Sequence, residues 1–98
     1  MENAFLAMKV SFCNEMYDIA SVLGVDYNEL RELWLLDPRI GRSHTFVFPD
    51  DRGYGGACLP KDVKALVNSA ASHGHAARLL TEMIEANKDQ RSKNGSAS

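Results

Sequence analysis

The chain has 98 residues, 45% of them hydrophobic, with 11 Lys and Arg against 13 Asp and Glu for a net charge of -2. That length makes one small domain with a modest core, and so even a charge balance gives no electrostatic reason to expect nucleic acid or an acidic membrane as partner. Cys13 and Cys58 lie too far apart in sequence for a Cys-x-x-Cys pair and suggest neither a disulfide framework nor a zinc site; no stretch nears the ~20 apolar residues of a membrane span, so a reducing cytoplasm is the expected setting.

Phe5, Met8, Phe12, Met16, Ile19, Ala20 and Leu23 recur at helical spacing, which predicts an amphipathic helix over 2–23 closed by Gly24. From Asn3 to Val10 it is apolar on nearly every face, more than one packing partner needs in so small a domain, and a second chain is the expected cover. Asp26 with Glu29 reads as a capping box, and Leu30, Leu33 and Trp34 place a core stripe on a second helix that stops before Pro38. From Gly41 to Ala57 the helical period vanishes, and Pro49, Asp50, Asp51 and the glycines mark a long ordered loop rather than a strand pair. Pro60 opens a third helix carrying Val63, Leu66 and Val67 and ending around 72–74. A fourth carries Ala76, Leu79, Leu80, Met83, Ile84 and Asn87, and residues 92–98 read as a disordered tail. The expected fold class is all-α: four principal helices and one long glycine-containing loop.

Chemistry concentrates in Gly53-Tyr54-Gly55-Gly56-Ala57-Cys58-Leu59-Pro60-Lys61-Asp62. Glycines let backbone approach a bound group, Cys58 sits where a helix begins, and the helix dipole with Lys61 beside it favours a nucleophilic sulfur. Asp62, in the first helical turn, is either a base for the reacting group or an ordinary first-turn acid. Cys58 is likewise either that nucleophile or a small buried hydrophobe. Gly53-x-Gly55 has Cys58 where a dinucleotide fingerprint needs its third glycine, so it is not a Rossmann loop. His44, His73 and His75 lack metal-ligand spacing, no metal is expected, and Lys9 reads as a solvated or interface lysine.

The run from Gly53 to Asp62 resembles the catalytic-cysteine signature of the UDP-glucose/GDP-mannose dehydrogenase family. Asn3-Ala4-Phe5-Leu6-Ala7, then Lys9-Val10-Ser11-Phe12 with Asn14-Glu15, resembles the start of that family's long central helix, and Asp37-Pro38-Arg39-Ile40-Gly41 its Asp-x-Arg-Ile-Gly element. The resemblance implies the helical central domain over 2–91, with a fold like the C-terminal domain of 6-phosphogluconate dehydrogenase and dimerisation through the first helix. It implies that the complete enzyme oxidises the primary alcohol of a nucleotide sugar, UDP-glucose or a related UDP- or GDP-sugar, to a carboxylate in two NAD-dependent hydride transfers. Cys58 would carry the thiohemiacetal and thioester, Asp62 and Asn3 would order or deprotonate water, and Lys61 would lie with Cys58 near the nicotinamide. Arg39 would reach the sugar of the neighbouring subunit, and Gly53, Tyr54 and Gly55 would border the substrate, with Tyr54 either stacking on it or simply packing. On the same resemblance the family's catalytic lysine falls before Met1, NAD is bound mainly by a domain outside this chain, and the stretch between Arg39 and Cys58 runs a few residues longer than usual. The chain alone is therefore expected not to turn over substrate. Two other readings fit the residues without the resemblance: a stand-alone helical interaction module with an inert cysteine, and a small thiol hydrolase, for which no histidine neighbours Cys58 in sequence.

Overall fold

A computed structural model describes residues 1–94. Four helices follow in order: α1 (Glu2–Leu23), α2 (Tyr27–Trp34), α3 (Cys58–Ser72) and α4 (Arg78–Ser92), and no strand ladder forms among the described residues. The all-α expectation therefore holds. Helix α1 ends at Gly24, whose left-handed backbone (φ 73) turns its N–H back to the last carbonyls. Asp26 caps α2, but its carboxylate takes the amide of Asn28 rather than that of Glu29, so half of the expected capping box is replaced by a simple cap.

Helix α1 is the spine: α3 lies along its amino-terminal half, α4 runs from there to Asp18, and α2 lies along its carboxy-terminal half. The first core joins Ala4 and Ala7 of α1 to Val63 of α3, Met83 of α4 and Tyr54 of the loop. The second joins Cys13 and Ala20 to Tyr27, with Tyr17, Leu30, Trp34 and Val47 around them. The thinnest dimension of the molecule is 22 Å, about two helix diameters, so each helix has one face without a neighbour in the chain.

That thinness overturns part of the expected core. Phe5, Phe12, Ile19 and Leu23 of α1, Leu33 of α2 and Leu79 of α4 all point outward. Small residues occupy the inner face of α1 because only they let α3 and α4 approach its backbone closely. Helix α3 starts at Cys58, two residues before Pro60, which takes the third helical position, where a missing N–H still costs no intrahelical bond. Of the segment expected as a tail, Ser92 is the last residue of α4 and Asn94 is hydrogen-bonded to Arg52, and 95–98 lie outside the described residues.

The segment between α2 and α3 is ordered by side chains rather than by strands. Tyr27 donates its hydroxyl to the Thr45 carbonyl (2.7 Å), Arg31 donates Nε to Thr45 Oγ1 (2.8 Å), and the Arg31 guanidinium lies 3.8 Å over the Phe46 ring. A tight turn at Pro49 and Asp50 then brings Asp51 back to Phe48, and the chain runs into the glycines.

Candidate active site

Packing of Ala4 and Ala7 against Val63 lays the amino-terminal ends of α1 and α3 side by side. Asn3, on the first turn of α1, consequently reaches Asp62 on the first turns of α3, donating Nδ2 to Oδ2 at 2.6 Å across 59 residues of sequence. Asp62 is four residues after Cys58 on the same helix, the spacing that makes side chains neighbours on one face. Cys58 is the first residue of α3 and is exposed, whereas Cys13 is buried in the second core; neither is in a disulfide. No side chain caps α3, so the first-turn amides and the positive end of the helix dipole remain open around the sulfur, with exposed Lys61 on the same turn. The arrangement offers an accessible thiol at an open helix end and, one turn along the same face, a carboxylate oriented by an amide.

The glycine loop is more deeply packed than its composition suggests. Tyr54 is buried in the first core, and burial pushes its phenol above the ordinary tyrosine value. Of the two roles left open for it, packing is the one observed. Gly53 has φ 76, and a Cβ there would meet Asn87 Oδ1 at 2.5 Å; a Cβ on Gly55 would meet the Arg91 guanidinium at 2.8 Å. These glycines thus admit the close approach of α4 as well as a ligand. The opposite side of the loop borders a cleft of about 350 Å³, lined among others by Gly53, Tyr54, Gly55, Asn14, Phe46 and Phe48.

Arg39 is not brought to this site. Its side chain is 87% exposed and its bonds run to Asp37, with Nη2 to Oδ2 at 2.6 Å; the Arg39 guanidinium and backbone hold the Asp37 carboxyl below its ordinary range. Lys9 lies over the Gly41 carbonyl at 3.5 Å, and His44 and His75 stand apart at the cleft and the α3–α4 turn. No three His, Cys, Asp or Glu side chains converge for a metal among the described residues.

What sequence reasoning did not single out is a polar layer between the two cores. Asn14 of α1 accepts from Arg52 Nε (2.8 Å) and from the Gly53 amide (3.0 Å), and Asp18 accepts from Arg52 Nη2 (2.8 Å) and Gln90 Nε2 (2.7 Å). The buried Arg52 guanidinium also sits 4.5 Å over the Tyr17 ring. Burial works to raise the Asp18 carboxyl, yet hydrogen bonds from Arg52 and Gln90 and the charges of Arg52 and Lys93 outweigh it and hold Asp18 below its ordinary value. On α4, Asn87 accepts from the Tyr54 amide (2.8 Å) and donates to the Tyr54 carbonyl (3.0 Å). The usable signal was polarity out of place: Asn14 and Asn87 each occupy a position on an inward helical face.

The family model described as UDP-glucose/GDP-mannose dehydrogenase family, central domain, matches residues 1–89. The chain is 40% identical over 89 residues to the UDP-glucose 6-dehydrogenase of Pseudomonas aeruginosa, a match covering 91% of this chain and 19% of that protein. It is equally similar to UDP-glucose 6-dehydrogenase TuaD of Bacillus subtilis, at 40% over 89 residues, 91% of this chain and 19% of that one. For UDP-glucose 6-dehydrogenase AglM of Haloferax volcanii the figures are 40% over 88 residues, 90% of this chain and 20% of the relative. The chain thus spans about a fifth of the length of the curated relatives it matches.

Proposed function

Because the chain belongs to the UDP-glucose/GDP-mannose dehydrogenase family, through that family's central domain, we propose that it supplies the nucleophilic cysteine and the subunit contacts of an NAD-dependent UDP-glucose 6-dehydrogenase. The observation that carries this reading is the exposed Cys58 at the open amino terminus of α3, one turn from an Asp62 held by Asn3. NAD, bound mainly by another part of the enzyme, supplies the hydride acceptor for both oxidations. The described residues carry no strand–glycine–helix unit to hold a dinucleotide and offer it only an edge, at Cys58 and Lys61.

The work of this chain begins when the sugar alcohol has become an aldehyde. The Cys58 thiolate adds to the aldehyde carbon, forming a C–S bond while the carbonyl oxygen takes a proton. Loss of the second hydride to NAD bound elsewhere in the enzyme, together with the hydroxyl proton to solvent, would leave a thioester on Cys58. Water, ordered by Asn3 and giving one proton to Asp62, adds to the thioester carbon; the C–S bond breaks to free the Cys58 thiolate, and the carboxylic acid so formed loses its remaining proton to solvent and leaves as the carboxylate. The substrate is read as lying in the cleft beside Gly53, Tyr54 and Gly55. An unpaired surface thiol favours a reducing, cytoplasmic setting, and no helix among the described residues is long and apolar enough to cross a membrane.

A homodimer through α1 completes the reading. Phe5, Phe12 and Ile19 are 67%, 56% and 42% exposed and recur every seven residues along one stripe. Two copies running antiparallel, with Phe12 nearest the two-fold axis, set Phe5 of one against Ile19 of the other, a self-complementary match. Arg39 then needs to leave only an exposed pair with Asp37, which holds it weakly, to reach a neighbouring site.

Two measurements test the proposal. Iodoacetamide labelling of the full chain should modify Cys58 quickly and Cys13 hardly at all; labelling of Cys58 no faster than of an ordinary exposed thiol would turn the protein into an interaction module with an inert cysteine. Sedimentation equilibrium at tens of micromolar, roughly the range in which a standard-sized interface holds, should give a dimer, and a monomer there would remove the second half of the reading.

A further inference from the structure

We infer that Asn87, acting with Asn14 and Arg52, is a positioning device for Cys58: helix α4 grips the glycine loop so that the uncapped first turn of α3 stays wound around the sulfur. The inference rests on Cys58 being the nucleophile, and it assigns to α4 a role that the reaction itself does not require.

Helix α3 begins without help. Its N-cap is Ala57, which offers no side-chain acceptor, and Pro60 brings no N–H that a cap could bind. A first turn left in this way frays, and Cys58 is in it. The compensation lies upstream. The Asn87 carboxamide meets both the N–H and the C=O of Tyr54, as a neighbouring strand would. Asn14 holds the Gly53 amide, and Arg91 and Asn94 hold the Arg52 carbonyl at 3.1 Å each. Arg52 is in turn fixed by Asn14 and Asp18. The backbone from Arg52 to Tyr54 is therefore tied to α1 and α4, four residues before Cys58. Gly55 lies directly against the Arg91 guanidinium, which carries the packed stretch to three residues before Cys58, with exposed Gly56 and Ala57 between. Anchoring the chain here fixes where the first turn of α3 enters, which is what a capping side chain does elsewhere.

The sign of the effect follows from exposure. Cys58 is already accessible, so loosening the grip cannot speed its labelling by uncovering it. It weakens instead the helix-end field around the sulfur, which favours an anionic partner.

The readout is the ratio of Cys58 alkylation rates with iodoacetate and iodoacetamide, measured on the full chain, with Cys13 as reporter of global opening and amide exchange followed at Asp62 and Val63, whose N–H groups bond back onto the first turn of α3. In Asn87→Ala the ratio should fall about two- to fivefold and exchange in the first turn of α3 should rise, while Cys13 stays unlabelled. Asn87→Asp, which keeps the acceptor for the Tyr54 amide and loses the donor to its carbonyl, should fall in between and serves if the alanine variant does not fold. A purely structural role would open the fold as a whole and raise labelling of the buried Cys13, and that result overturns the inference. So does a variant whose ratio and first-turn exchange match the parent. If the parent chain itself shows the ratio of free glutathione, the nucleophile reading fails instead, and first-turn exchange in Asn87→Ala alone then decides whether α4 positions the turn.

Discussion

The two long faces of α1 divide its side chains by size in an unexpected way. The inner face carries Ala4, Ala7, Cys13, Asn14 and Ala20, all buried, while the outer face carries Phe5, Phe12 and Ile19, all exposed. Ordinary amphipathic logic would bury the aromatics. Here the small residues draw α3 and α4 onto the α1 backbone, which is what lets Asn3 touch Asp62, and the bulky ones are left exposed. Closeness for the candidate site and the apolar area of the proposed dimer thus lie on opposite sides of one helix.

The largest expected effect breaks the outer face. Phe12→Asp places like charges together at the axis of the proposed dimer and should weaken association by at least about 100-fold in sedimentation equilibrium, with the monomer's melting transition unmoved. Next comes the inner face. Ala7 is fully buried between α1 and α3, so Ala7→Leu should cost about 1–3 kcal/mol in urea unfolding and push the Asn3 and Asp62 side chains apart.

Asn14→Leu should cost about 1–3 kcal/mol through the Arg52 Nε and the Gly53 amide it leaves without an acceptor, despite the added apolar surface. The same layer gives a pH dependence. Asp18 has a folded pKa below its ordinary value, so its contribution is complete above the unfolded value, about 3.9, and is lost as pH falls through the folded one. Asp18→Asn should therefore lower stability at neutral pH and flatten the acid limb of the stability curve below about pH 4; an acid limb as steep as the parent's would show that the Arg52 pair is not its source. Smallest of all, Phe5→Gln measured on dilute monomer should change stability by no more than about 0.5 kcal/mol, because its ring buries little within the chain.

Much of this was legible in the residues. The 3.6-residue period and Gly24 located α1, Asp26 located the start of α2, and the missing period between Gly41 and Ala57 located the loop. The cysteine's place at a helix start was legible too, from glycines followed by Pro60. Three things were not. The burial of Tyr54 and the packing of Gly53 and Gly55 on α4 depend on how near α4 comes, and no local pattern encodes that. The exposure of Leu33 and Leu79 follows from the thinness of the molecule, since periodicity says which residues share a face but not whether anything covers it. The role of Arg52 carries no local signal, because the carboxylate that neutralises it, Asp18, is 34 residues away in sequence.

Sequence by itself determined which segments are helical and where the thiol sits relative to a helix end, because those depend on spacing, capping and turn chemistry over a few residues. Only the tertiary structure decided that Asn3 meets Asp62, that Asn87 grips the loop, and that the aromatics of α1 face outward. Each of these depends on the distance between elements far apart in the chain, and that distance is set by the volumes of the side chains packed between them.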